Sequence, residues 1–152
     1  MKKRKIFDCF LYFQEFEILE IRLRYLYNYV DYFVIVEFNQ SFSGKKKKFN
    51  LEDNLKDLSP YLDKIFYYKI DEYHTSFDQL ITYLDNKRDN VSQIIKKNLL
   101  NHKHYDRNEI NWVLDTYQRE SIYYALSKFK IDNDDLIIIS DIDEIPNFQI
   151  IS

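Results

Sequence analysis

The chain has 152 residues, 45% of them hydrophobic, enough for one domain-sized core that buries roughly 70% of the surface its unfolded form exposes. Lys and Arg (22) against Asp and Glu (25) leave a formal charge of −3, which excludes a net basic field drawing the molecule onto nucleic acid or an anionic membrane, so any phosphate must be met locally. A single cysteine, Cys9, excludes an intramolecular disulfide and a secreted disulfide scaffold, and points to a reducing, cytoplasmic compartment.

The basic start, Met1 to Lys5, followed by apolar residues has the outline of a signal peptide. Asp8 interrupts the run and Gln14-Glu15 ends it, so it is too short and too polar for a leader or a transmembrane segment. Lys5 to Phe13 reads instead as a buried first strand. Phe16, Leu19, Leu23, Leu26 and Val30 follow at spacings of three and four, the period of an amphipathic helix. Its other faces carry Glu17, Glu20, Arg22 and Arg24, with Glu20 and Arg24 in the favoured i,i+4 order. Tyr32 to Glu37 is a continuous apolar run ending in a carboxylate, as a buried parallel strand does. Strand, helix and strand make a βαβ unit.

Phe38 to Asn50, with Gly44 and Lys45 to Lys48, reads as an exposed loop. Lys64 to Ile70 is a third strand, after the turn signal Ser59-Pro60. Phe77 to Asp106 is polar, with Ile94, Ile95, Leu99 and Leu100 as its best helical cluster, whereas Ile110 to Phe129 fits a helix throughout. Leu136 to Ile139 is a strand expected to be fully buried, and it delivers the acidic cluster Asp141 to Glu144. Strands alternating with helices predict an α/β fold with a mostly parallel sheet. Ligands bind such sheets at the carboxyl ends of strands, where Glu37 and the acidic cluster fall.

Asp141 and Asp143 are two residues apart just past a hydrophobic strand, so in extended geometry both carboxylates face one side. Mg²⁺ or Mn²⁺ takes hard oxygen ligands, commonly one or two carboxylates plus substrate phosphates, an arrangement that neutralises a departing diphosphate. A solvated acidic turn is the structural alternative for the same spacing.

Asp141-Ile142-Asp143-Glu144-Ile145-Pro146 resembles the Asp-x-Asp-Glu-Ile-Pro signature of family 17 glycosyltransferases, the group that includes the enzyme adding bisecting N-acetylglucosamine to N-glycans. Phe7-Asp8-Cys9-Phe10 with Glu20-Ile21-Arg22-Leu23, Val34-Ile35-Val36-Glu37 with Ser41-Phe42-Ser43-Gly44, and Trp112 with Gln118-Arg119 and Ile122 are similar to the same family, in the expected order over nearly the whole chain. Asp115, where Glu is expected, and Glu120, where Asn is usual, depart from it.

The resemblance implies a GT-A-like, Rossmann-type domain over residues 1–152, and inverting transfer of N-acetylglucosamine from UDP-N-acetylglucosamine to a glycan acceptor. By that analogy Asp143 holds the metal and Asp141 assists the metal or the ribose. Glu37 either contacts the nucleotide or caps a turn. Arg119 pairs with phosphate, with the acidic cluster, or in an ordinary helix-surface ion pair. Glu144 orients the acceptor hydroxyl or supports the ligands from behind. Inverting transfer needs a general base, and none is identifiable before Ser152, so the sequence reads as truncated after the Asp-x-Asp segment, catalytically incomplete alone and open to a complementing C-terminal polypeptide.

A haloacid-dehalogenase-like phosphatase would use Asp141 as nucleophile and Asp143 as acid/base, but Ile145 replaces its usual Thr or Val. Pro146 stands where an EF-hand needs Gly. His74 and His102-x-His104 lack a second pair of zinc ligands, and Cys9 sits in an apolar strand unsuited to a nucleophile.

Overall fold

The computed structural model describes residues 4–151, so the residues Met1 to Lys3 of the basic start, and Ser152, lie outside the described residues. The order is β1 (Ile6–Leu11), α1 (Phe16–Leu26), β2 (Tyr32–Phe38), a 3-10 helix (Glu52–Tyr61), β3 (Ile65–Ile70), α2 (Phe77–Asn86), α3 (Asn90–Asn101), α4 (Ile110–Glu120), α5 (Ile122–Leu126), β4 (Leu136–Ile139) and α6 (Phe148–Ile151). The four strands form one all-parallel sheet in the order β3-β2-β1-β4, a Rossmann-like α/β arrangement. Among the described residues no helix is long and apolar enough to cross a membrane.

The chain forms two compact units. Among the described residues the first comprises 4–37, 49–69 and 130–151 and carries most of the sheet; the second comprises 38–48 and 70–129. In the first, strand alternation sends Ile6 and Phe10 of β1 and Phe33 and Ile35 of β2 to the same core as Leu19, Leu23 and Leu26 of α1. Asp8 shares the parity of Ile6 and Phe10, in register with Phe33 on one side and Ile138 on the other. A carboxylate is thereby placed in the middle of the sheet on the helix-covered face.

Several expectations change here. Arg22, placed with the polar faces of its helix, is entirely buried. Strand β4 is not fully buried: Ile137 is 38% and Ile139 58% exposed. As the last strand of the sheet it pairs with β1 alone, and only Leu136 and Ile138 pack on the core around α1. The Ser59-Pro60 turn signal lies inside the 3-10 helix.

In the second unit, α3 packs on α2, α4 and α5. The helix predicted from Ile110 to Phe129 is two, because Ser121 folds its hydroxyl back onto the Tyr117 carbonyl at 2.7 Å, a bond that competes with the helical ladder and bends it. The polar stretch from Phe77 holds two capped helices: Ser76 Oγ accepts from the Gln79 amide and Asp89 Oδ1 from the Ser92 amide. In the loop after β2, Gly44 has φ 87°, a left-handed conformation glycine adopts without penalty. It closes the turn in which the Ser41 amide donates to the Lys45 carbonyl at 2.8 Å.

Candidate functional site

The site begins at the sheet order. From β1 the chain runs outward to β2 and β3, while β4 returns to the opposite side of β1. The strand order therefore reverses between β1 and β4, and in open α/β sheets generally such a reversal is where ligands bind, outside the carboxyl ends of the strands. Residues 140–144 leave β4 at that end. They form a turn rather than extended chain: the Glu144 amide donates to the Asp141 carbonyl at 3.0 Å, and the Asp141 amide to Glu144 Oε2 at 3.3 Å. Ile142 is buried in the core around α1, while Asp143 and Glu144 on its far side are exposed and Asp141 is half-buried. Phe148, stacked on Tyr29 with ring centres 4.4 Å apart, anchors the chain beyond the turn.

Beneath the turn lies the Arg22 guanidinium. Its Nε and Nη2 donate to Asp8 Oδ2 and Oδ1 at 2.9 and 2.7 Å, a two-pronged ion pair with both side chains removed from solvent. Nη2 also donates to Ser140 Oγ at 2.7 Å. Nη1 faces three main-chain carbonyls, of Asp141, Ile142 and Glu144, at 2.7, 3.0 and 3.2 Å. The Phe10 ring packs against the guanidinium with its centre 4.6 Å from the Cζ atom. A planar fork suits this set of acceptors; an ammonium offers three donors and no such plane.

The residues singled out from sequence fall in different surroundings. Glu37, on β2, is fully buried. Its carboxylate accepts from the Asn50 and Leu51 amides at 2.6 and 3.1 Å and from the Tyr67 hydroxyl at 2.6 Å, which ties the start of the 3-10 helix to the sheet. Burial first, and then the bond to Glu37, push the Tyr67 phenol well above its usual range. Arg119, on α4 in the second unit, donates to Asp115 Oδ2 one turn earlier at 3.2 Å.

Cys9 is buried, and desolvation pushes its thiol up to about 12, so it is held as an unreactive thiol. The rings of His102 and His104 stand edge to face, 6.3 Å apart. Lys47 is bonded to the Phe38 and Lys48 carbonyls, and Lys46 lies 4.9 Å from the Tyr73 ring centre.

Sequence reasoning missed a second polar cluster, in the helical unit. Glu72 accepts from Lys87 Nζ at 2.8 Å, from the Tyr83 hydroxyl at 2.7 Å, from Tyr117, and meets His74 Nε2 at 3.2 Å. Burial alone would raise its carboxyl, but the bonds from His74, Lys87, Tyr117 and Tyr83 outweigh burial and hold it down at about 2. Gln40 completes the framework, exchanging both amide bonds with the His74 backbone at 2.8 and 3.0 Å, while Gln118 donates to the Gln40 carbonyl at 2.8 Å.

The acidic turn can be tested as a divalent-ion site on its donor chemistry. Among the described residues no group of three or more His, Cys, Asp or Glu side chains gathers so as to hold a metal ion. The protein would therefore contribute only the carboxylates of Asp141 and Asp143, leaving further positions to phosphate and water. That division is the usual one for Mg²⁺ and Mn²⁺ at phosphate substrates, so the residues fit.

A parallel four-stranded sheet flanked by helices, with an acidic turn beside its strand-order reversal, defines an α/β protein of the Rossmann-like class. The model of glycosyltransferase family 17 matches residues 1–103 and 54–152, and the chain belongs to that family. It is a glycosyltransferase domain, as the Asp-x-Asp-Glu-Ile-Pro resemblance implies, and the phosphatase alternative has no support. No curated protein and no solved structure matches the chain.

Proposed function

We propose that the donor is UDP-N-acetylglucosamine, that its sugar passes to a glycan hydroxyl with inversion, and that Asp141 and Asp143 hold Mn²⁺ or Mg²⁺ against the donor diphosphate. The observation that carries this reading is the position of the 140–144 turn, at the carboxyl end of β4 beside the reversal in strand order. When bound, the ion supplies positive charge against the negative charge that collects on the departing nucleotide. The remaining work belongs to the protein. Asp141 and Asp143 contribute anionic oxygens, Ile142 roots the turn in the core, and Glu144 accepts the Asp141 amide and so supports the ligand backbone.

Mn²⁺ and UDP should stabilise the fold together more than the sum of their separate effects, because each completes the other's coordination. At 100 times the dissociation constant the stabilisation is about 2.7 kcal/mol, which scanning fluorimetry resolves. Asp143→Asn keeps side-chain volume, removes one anionic ligand and should abolish the cooperative shift, whereas Asp134→Asn, in the turn before β4, should leave it unchanged. UDP-N-acetylglucosamine should give a larger shift than UDP-glucose or GDP-mannose. No joint shift in the wild type, or an intact shift in Asp143→Asn, refutes the acidic-turn assignment.

A further inference from the structure

We infer that Arg22, braced by Asp8, is a positioning residue for the metal-binding turn: it sets the backbone of residues 140–144 so that the ligand carboxylates are in place before an ion arrives. The inference rests on the assignment of Asp141 and Asp143 as metal ligands, and concerns what prepares them.

The geometry argues for more than a stabilising ion pair. Buried ion pairs are often no better for stability than apolar side chains of the same volume, so a fully buried pair in the middle of a sheet calls for another explanation. The distribution of the guanidinium's five N–H groups provides one. Two go to Asp8, which fixes the plane of the fork against β1. All the others go to the segment bearing the proposed ligands: one to Ser140 Oγ and two shared among the carbonyls of Asp141, Ile142 and Glu144. Ser140 extends the brace, because its hydroxyl accepts from Arg22 and donates to the Glu144 carbonyl at 3.1 Å.

Three carbonyls drawn onto one cation hold the main chain on either side of Ile142. Groups that orient metal ligands from behind in this way typically change metal affinity about 10- to 100-fold when removed.

Ser140→Ala separates positioning from folding, because it removes the Nη2 bond to Ser140 Oγ and the hydroxyl's own bond to the Glu144 carbonyl, one of the guanidinium's links to the turn, while the Asp8–Arg22 pair and the Nη1 bonds to the carbonyls stay intact. Mn²⁺ affinity in the presence of UDP is read from the electron paramagnetic resonance of free Mn²⁺, alongside the melting temperature and amide exchange at Glu144. Ser140→Ala should bind Mn²⁺ about tenfold more weakly, melt close to the wild type and exchange faster at Glu144; Ser140→Thr, which restores a hydroxyl, should recover the affinity. Arg22→Lys, keeping the charge but losing the fork, should lose at least as much affinity. If it fails to fold, the Ser140 variants decide alone.

The inference is overturned if Ser140→Ala, and Arg22→Lys where it folds, bind Mn²⁺ like the wild type while Asp143→Asn does not bind. In that case the metal assignment stands. If Asp143→Asn binds Mn²⁺ unchanged, the metal assignment itself fails and the positioning role falls with it.

Discussion

Removing one or both partners of the Asp8–Arg22 pair gives a graded prediction about stability. Asp8→Leu leaves a guanidinium with no counter-charge at a site where both side chains are removed from solvent, and breaking a buried pair in this way costs about 3–5 kcal/mol. Arg22→Met strands the Asp8 carboxylate instead and should cost at least as much, because the carbonyls of 141, 142 and 144 lose their donor too. In the double variant no charge is stranded. What remains is the loss of the turn-facing hydrogen bonds, about 1 kcal/mol each net, offset by apolar packing that in other buried pairs has regained about 1–4 kcal/mol.

The double variant should thus lie no more than about 3 kcal/mol below the wild type and no lower than either single variant, a coupling of at least about 3 kcal/mol. Trp112 lies in the helical unit, so its fluorescence is the wrong reporter. Hydrogen exchange at the amides of β1, with urea unfolding followed by circular dichroism, reports the sheet unit. Additive single losses, or an Asp8→Leu cost under about 1 kcal/mol, would refute the reasoning.

The helical unit should be sensitive to acid through Glu72. Its folded carboxyl is held at about 2 against an ordinary 4.5, so the stabilisation, about 3 kcal/mol, is fully present above pH 4.5 and is lost as pH falls from there toward 2. Urea titrations at stepped pH should show this loss in the wild type and a flatter profile in Glu72→Gln; parallel profiles would count against the cluster. At the sheet edge, Ile139→Lys should change stability by less than about 0.5 kcal/mol, because the side chain is 58% exposed. Equilibrium urea unfolding checks it, and a loss well beyond that figure would show that the Ile139 side chain is packed rather than exposed.

Much of the fold was legible along the chain, because strand and helix periods are local. The strands β1, β2, β3 and β4 lie where the apolar runs put them, and helix α1 starts where the spacing from Phe16 to Val30 put it but ends at Leu26. The break at Ser121 was not legible, since a serine bonded to the carbonyl four residues back and one facing solvent look alike in sequence. Arg22 misled for a related reason. It lies three residues after Leu19 and four before Leu26, on the apolar face, and only its charge suggested solvent. The available signal was Asp8, a carboxylate at the inward parity of Ile6 and Phe10, which required a cation opposite it.

By itself the sequence determined the family, the α/β class and the acidic segment at the end of the last strand, since each is written in contiguous residues. Tertiary structure alone decided that β4 is an edge strand with Ile137 and Ile139 exposed, because burial of a strand depends on which strands become its neighbours. It also brought Asp8, Arg22 and the 140–144 turn into one hydrogen-bonded assembly. A guanidinium's partners are set by the order of strands in the sheet, and no local pattern encodes that order.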